Sequence, residues 1–205
     1  MEPFLQHTGI VASLDRVNVD TDQIVPKQFL KRIERTGFGE FLFFDWRFKD
    51  DGSLNTEFEL NLPGYEGASI LATGRNFGSG SSREHASWAL QDYGFRCIIA
   101  TSLADIFHKN CMENGLVPVL LPDDDVRAVI SGATERPGYQ VTVDLEQCQL
   151  WGPEGVGRPF VVHPDPETHE FRRHCLMNGL DDIALTLRHE DKIIAFEARR
   201  GSYGV

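Results

Sequence analysis

The sequence predicts an α/β fold, and two neighbouring strand–helix alternations followed by a third strand carry that reading. Residues 68–73 (ASILAT) read as a strand, residues 74–82 as a glycine- and serine-rich loop, and residues 83–93 as an amphipathic helix bearing Ala86, Trp88, Ala89 and Leu90 before Gly94. A second short strand at 97–100 precedes a helix at 103–113, stopped by Asn114-Gly115, and a third strand covers 116–121. Strands that alternate with helices define the α/β class.

The remaining elements fit around this unit. Residues 9–14 predict a strand, followed by a polar loop at 15–22 rich in Asn and Asp. Pro26 opens a short helical stretch, because proline suits the first helical turn; Phe29, Leu30 and Ile33 follow at helical spacing until Gly37. Phe41, Phe43, Phe44, Trp46 and Phe48 crowd one segment and read as packing, with nothing placed for chemistry. Phe58, Leu60 and Leu62 alternate with polar residues as a half-buried strand does, and Pro63, Gly64 and Gly67 supply a turn. A helix at 124–130 precedes an alternating strand through Val141, Val143 and Leu145, and residues 160–162 are extended. Residues 165–205 form a mainly helical C-terminal extension of a single domain spanning 1–205, with Asp181-Asp182 near one helix start and Arg199-Arg200 near the last helix end.

Composition narrows the function classes. The chain has 205 residues, of which 41% are hydrophobic, enough to bury a full core. Its 31 acidic and 20 basic residues give a formal charge of −11, a field that repels phosphate backbones and anionic membranes, so neither nucleic acid nor membrane is an expected partner. No apolar run approaches the roughly 18 residues of a membrane span, and the N-terminal residues lack a signal peptide's basic start and apolar stretch. A cytoplasmic location is the expectation. Cys97, Cys111, Cys148 and Cys175 form no C-x-x-C pair, so neither a zinc ribbon nor a cluster-binding run is encoded, and three of them are expected to be buried small hydrophobes. His163, His169, His174 and Cys175 invite a metal reading, but His169 and His174 lie about 140° apart around a helix, so no metal is expected there.

The loop before the second predicted helix holds the chemistry. Two close glycines, Gly78 and Gly80, precede a helix start, where free backbone N–H groups and the positive dipole end favour an anion. A dinucleotide fingerprint needs glycine where Arg83 stands, and the Lys-Ser/Thr ending of a P-loop is absent. Arg83 suits an organic carboxylate, which its guanidinium can grip through two parallel hydrogen bonds. Ser81 and Ser82 stand beside it. A serine can act as a base where helix-terminal amides or a cation stabilise its alkoxide, or it can simply cap the helix, with Glu84 adding a capping contact and His85 packed inside.

Gly80-Ser81-Ser82-Arg83-Glu84-His85-Ala86 resembles the signature of the swivelling domain in the aconitase superfamily. The resemblance to the small-subunit family of the 3-isopropylmalate dehydratases extends through residues 18–30, 42–48, 88–94, 104–107, 110–118 and 171–180, almost the whole chain. It implies a swivelling β/β/α domain, no cofactor on this chain, and a large-subunit partner carrying a [4Fe-4S] cluster. The implied reaction dehydrates and rehydrates a small dicarboxylic acid, interconverting 2- and 3-isopropylmalate through isopropylmaleate in leucine biosynthesis. By similarity, Ser81 is the base and Arg83 binds a substrate carboxylate beside Ser82. Asp22 corresponds to an active-site aspartate, and Lys31 or Arg32 to a second substrate-binding cation. Phe29 and Leu30, with Lys31, resemble the stretch that sets substrate choice. Ser79 departs from the cysteine usual in close relatives. Hydro-lyases acting on citraconate, maleate or dimethylmaleate share this small-subunit type, and a non-catalytic carboxylate-binding module is the alternative outside enzymes.

Overall fold

The structure, a computed structural model, describes residues 1–31 and 36–200. Among them, seven strands form one mixed sheet: β1 (Gln6–Leu14), β2 (Ile70–Thr73), β3 (Cys97–Ala100), β4 (Val117–Leu120), β5 (Gln140–Asp144), β6 (Gln149–Trp151) and β7 (Gly157–Pro159), in the order β4-β3-β2-β1-β5-β6-β7. β1 to β4 pair in parallel, while β5 joins β1 antiparallel and β6 and β7 continue as a meander. The helices are α1 (Thr21–Ile24), α2 (Phe44–Arg47), α3 (His85–Tyr93), α4 (Asp105–Asn114), α5 (Asp123–Glu135), α6 (Pro166–Asn178), α7 (Asp182–Leu187) and α8 (Glu190–Arg200).

Burial follows this topology. Every residue of β2 and β3 is buried, as central parallel strands covered on both faces must be, whereas the start of β1 is exposed and only its later residues enter the core. The crossovers through α3 and α4 have the same sense, which the right-handed rule places on one face, and the two helices touch; α5 packs on β1, β2 and β3. Asp123, Asp124 and Asp125 fill the first turn of α5, where negative charge complements the dipole. Helices α6 to α8 realise the expected helical extension through Arg200, and residues 201–205 lie outside the described set. Cys97, Cys111 and Cys175 are buried and Cys148 partly so; burial pushes all four thiols up. Among the described residues, no helix is long and apolar enough to cross a membrane.

Two predicted elements differ. Residues 58–62 form no strand but successive 3₁₀ turns, Glu59–Asn61 and Pro63–Tyr65. The Asn61 amide donates to the carbonyls of Arg47 (2.8 Å) and Asn55 (2.7 Å), which curls the chain, so burial of Phe58 and Leu60 reflects tight turns rather than a pleat. Among the described residues of the stretch after Pro26, the helical element is a 3₁₀ turn, Lys27–Phe29, and Ile33 lies outside the described residues. The expected extended piece at 160–162 follows β7, and Val161 bridges Leu120. Residues 149–151 add a strand the alternation did not announce.

Histidines tie α4 and α6 to the segment that follows β7. His108 on α4 donates Nε2–H to the carbonyl of buried Val162 (2.6 Å), and the Val162 N–H donates to His169 Nδ1 on α6 (3.1 Å). His163, stacked on His108 at 5.2 Å, accepts the Asp165 N–H at Nδ1 (3.1 Å). Burial is the main cause that lowers the pKa of His108 and of His169 below the usual 6.5. The folded state therefore favours their neutral forms, and the stability they contribute is present above about pH 6.5 and lost as pH falls through the depressed folded values. Thermal midpoints should decline below about pH 6.5. His169→Gln, which keeps an acceptor for Val162 but cannot be protonated, should flatten part of that acid limb in melts followed by circular dichroism.

Candidate active site

The site grows from the ends of two parallel strands. Leu14 of β1 and Thr73 of β2 are register partners, so the loops after them leave the sheet side by side, at the carboxyl ends where open α/β sheets place ligands. Their pairing continues past the sheet. The Gly74 N–H donates to Arg16 (3.1 Å), the Asn18 N–H to Arg75 (3.0 Å), Gly78 and Ser79 to the Val19 carbonyl (2.8 and 3.0 Å), and Thr21 to Ser79 (2.8 Å). The β3 exit adds a third rail, with the Ala104 N–H donating to Phe77 (2.9 Å).

Two glycines make this approach possible. A Cβ on Gly78, at φ +79°, would stand 2.2 Å from the Phe107 ring, and one on Gly80, at φ +89°, 2.1 Å from the Asp20 carboxylate. Asp20 needs that space because it caps α1. Its Oδ1 accepts the Asp22 N–H (2.7 Å), while Gln23 Oε1 accepts the Asp20 N–H (2.8 Å), a reciprocal capping box. The box fixes Asp22 in the first turn, where it forms an ion pair with Nη1 of Arg83. Lys27 Nζ lies 3.1 Å from the other oxygen of the same carboxylate. The Arg83 side chain is 11% exposed and that of Asp22 34%. Buried Thr21 completes the cradle, its hydroxyl donating to the Ser81 carbonyl (2.9 Å).

Neither serine caps the helix. α3 begins at His85 with Glu84 as cap residue and no side-chain capping bond; the Glu84 carboxylate instead accepts from Asn114 (3.2 Å). Ser81 and Ser82 are exposed, and among the described residues the amides of Ser82, Arg83, Glu84 and His85 make no hydrogen bond. Those free donors at a helix start suit a negative group. His85 packs against Phe38 (5.1 Å) and Trp88 (4.8 Å), and its pKa is lowered chiefly by burial, with Arg83 acting in the same direction.

The sequence-predicted residues are thus partly gathered. Asp22 and Arg83 touch directly, and Thr21 ties Ser81 to the same loop. Phe29 stacks on Phe41 (4.0 Å) and meets Phe44 edge-on (4.9 Å); Leu30 is partly buried against the core. Lys31 is exposed without an ion pair among the described residues, and Arg32 lies outside them. Sequence reasoning missed Lys27 and Thr21. The Asp20-x-x-Gln23 capping pattern was the available signal that a helical turn would present Asp22.

These loops, on a mixed sheet flanked by helices, define the class: the chain belongs to the aconitase C-terminal domain family, which matches residues 1–124. Within it the chain belongs to the small subunits of 3-isopropylmalate dehydratase, a hydro-lyase. The C-terminal domain of that small subunit matches residues 182–201. The 3-isopropylmalate dehydratase small subunit of Brevibacillus brevis is 56% identical over 200 residues, covering 98% of this chain and 100% of the relative. That of Rhodopirellula baltica is 58% identical over 202 residues, covering 98% and 100%. A 3-isopropylmalate dehydratase structure from Methanocaldococcus jannaschii superposes with a TM-score of 0.65 at 23% identity, covering 96% of this chain and all of that one, a likeness of fold.

Removing the Thr21 hydroxyl tests the cradle. Thr21→Val leaves the Ser81 carbonyl without its donor and should cost about 1 kcal/mol in urea unfolding. Gly80→Ala should cost more, about 1–3 kcal/mol, because it combines an unfavourable φ with a collision at Asp20.

Proposed function

We propose that this chain supplies the base and the carboxylate clamp of 3-isopropylmalate dehydratase, in the cytoplasm, and that a large subunit completes the site. The observation that carries the reading is Arg83: a mostly buried guanidinium already holding a carboxylate, that of Asp22, beside exposed Ser81 and a set of free helix-start amides. Such a group recognises carboxylic acids.

In the dehydration direction, Ser81 Oγ takes the proton from the carbon next to a substrate carboxylate. The electron pair of the broken C–H bond becomes the second bond of the alkene as the hydroxyl leaves, so the substrate loses one water. Arg83 binds that carboxylate and stabilises the charge that develops on it, and the unpaired amides and guanidinium favour the serine alkoxide. Readdition of water with the opposite orientation gives the isomer. Asp22 orients Arg83, while Phe29 and Leu30 offer an apolar wall to the isopropyl group.

Burial of Cys97 and Cys111 in the core, and the lack among the described residues of a group of three or more His, Cys, Asp and Glu that could hold a metal, support placing the iron-sulfur cluster on another chain. In this reading the large subunit would hold the [4Fe-4S] cluster, which would supply Lewis-acid chemistry to the dehydration.

Assembled with its large subunit, the enzyme carrying Ser81→Ala should lose about 10² or more in kcat while KM changes little. Full turnover by that variant would remove Ser81 from the mechanism. Arg83→Lys should depress kcat/KM strongly, because lysine cannot make the two-point grip. The purified chain alone should not turn over 3-isopropylmalate.

A further inference from the structure

We infer that Lys27 is the second carboxylate-binding cation of the site, gripping the substrate carboxylate that Arg83 does not; the inference rests on the function proposed above. Three observations converge. First, Lys27 and Arg83 hold opposite oxygens of one Asp22 carboxylate. Two cations separated by one carboxylate and its hydrogen bonds have a spacing that adjacent carboxylates of a small dicarboxylic acid can span. Second, Asp22 cancels the charge of Arg83, so the Arg83–Asp22 pair alone offers a dianion no net attraction. Lys27 adds a second cation beside that pair and offsets the Asp20 carboxylate that caps the same turn, within a chain of formal charge −11.

Third, the ammonium is placed for a ligand rather than for the core. The Lys27 side chain is 72% exposed, so its contact with Asp22 contributes little stability and leaves its other N–H directions open. Lys27 opens the 3₁₀ turn that carries Phe29, so the backbone placing the cation also places the apolar wall. Lys31, beyond that turn, has no ion pair to the cluster among the described residues.

The test uses the assembled enzyme with Lys27→Met and Lys27→Arg. Lys27→Met should raise KM for 3-isopropylmalate at least tenfold with kcat changed less than threefold, and Lys27→Arg should restore KM to within about threefold. Inhibition constants add a second readout. A dicarboxylic analogue should weaken tenfold or more against Lys27→Met, whereas the corresponding monocarboxylic acid should bind both enzymes alike. An unchanged KM, or equal weakening of both inhibitors, overturns the assignment. Ser81→Ala, measured alongside, separates the two readings: if it loses turnover while Lys27→Met is silent, only Lys27 is wrongly assigned, and if it keeps full turnover, both proposals fall.

Discussion

The ion pair between Asp22 and Arg83 is the constraint around which this site is organised. It joins the loop after β1 to the loop after β2 at the point where both have left the sheet. An arginine only 11% exposed needs a counter-charge, since removing one partner of a largely desolvated pair leaves the other uncompensated. Asp22 meets that need, and in doing so holds the guanidinium where a substrate carboxylate can reach it. The pair also explains why the capping box at Asp20 matters: without that short helical turn, Asp22 has no fixed direction.

Backbone requirements follow from bringing the loops so close. Parallel strands in register deliver two chains to one place, and the ladder through Val19, Gly78, Ser79 and Thr21 keeps them together for several residues beyond the sheet. That closeness excludes any side chain at Gly78 and Gly80. The serines that follow are left exposed, free of a capping role, with unpaired amides next to them. Packing elsewhere fixes the frame: Phe77 and Phe107 lock the second loop onto α4, and the stacked Phe29 and Phe41 fix the turn that carries Lys27.

The α/β alternation was legible because its signals are local: apolar runs for β2, β3 and β4, and Gly94 and Gly115 as helix stops. The anion-binding character of residues 78–83 was legible for the same reason, and the family signature added the role of Ser81. Residues 58–62 misled because alternating burial arises from consecutive 3₁₀ turns as readily as from a pleat, and the Asn61 side-chain bonds that decide between them are not a periodic feature. The start of α3 was placed two residues early, which made the serines look like caps. Lys27 was invisible to sequence reasoning because its partner, Asp22, is five residues away across a proline, a distance no helical or strand period predicts.

The most direct test is a double-mutant cycle on the assembled enzyme. Asp22→Asn, Arg83→Gln and the double variant would be compared with the parent by urea unfolding of the small subunit and by kcat/KM. A working Asp22–Arg83 pair predicts a coupling of about 1 kcal/mol or more in both measurements, the double variant being less impaired than the sum of the single ones. Strict additivity in both would show that the two loops are not held together by this pair, and would contradict the account.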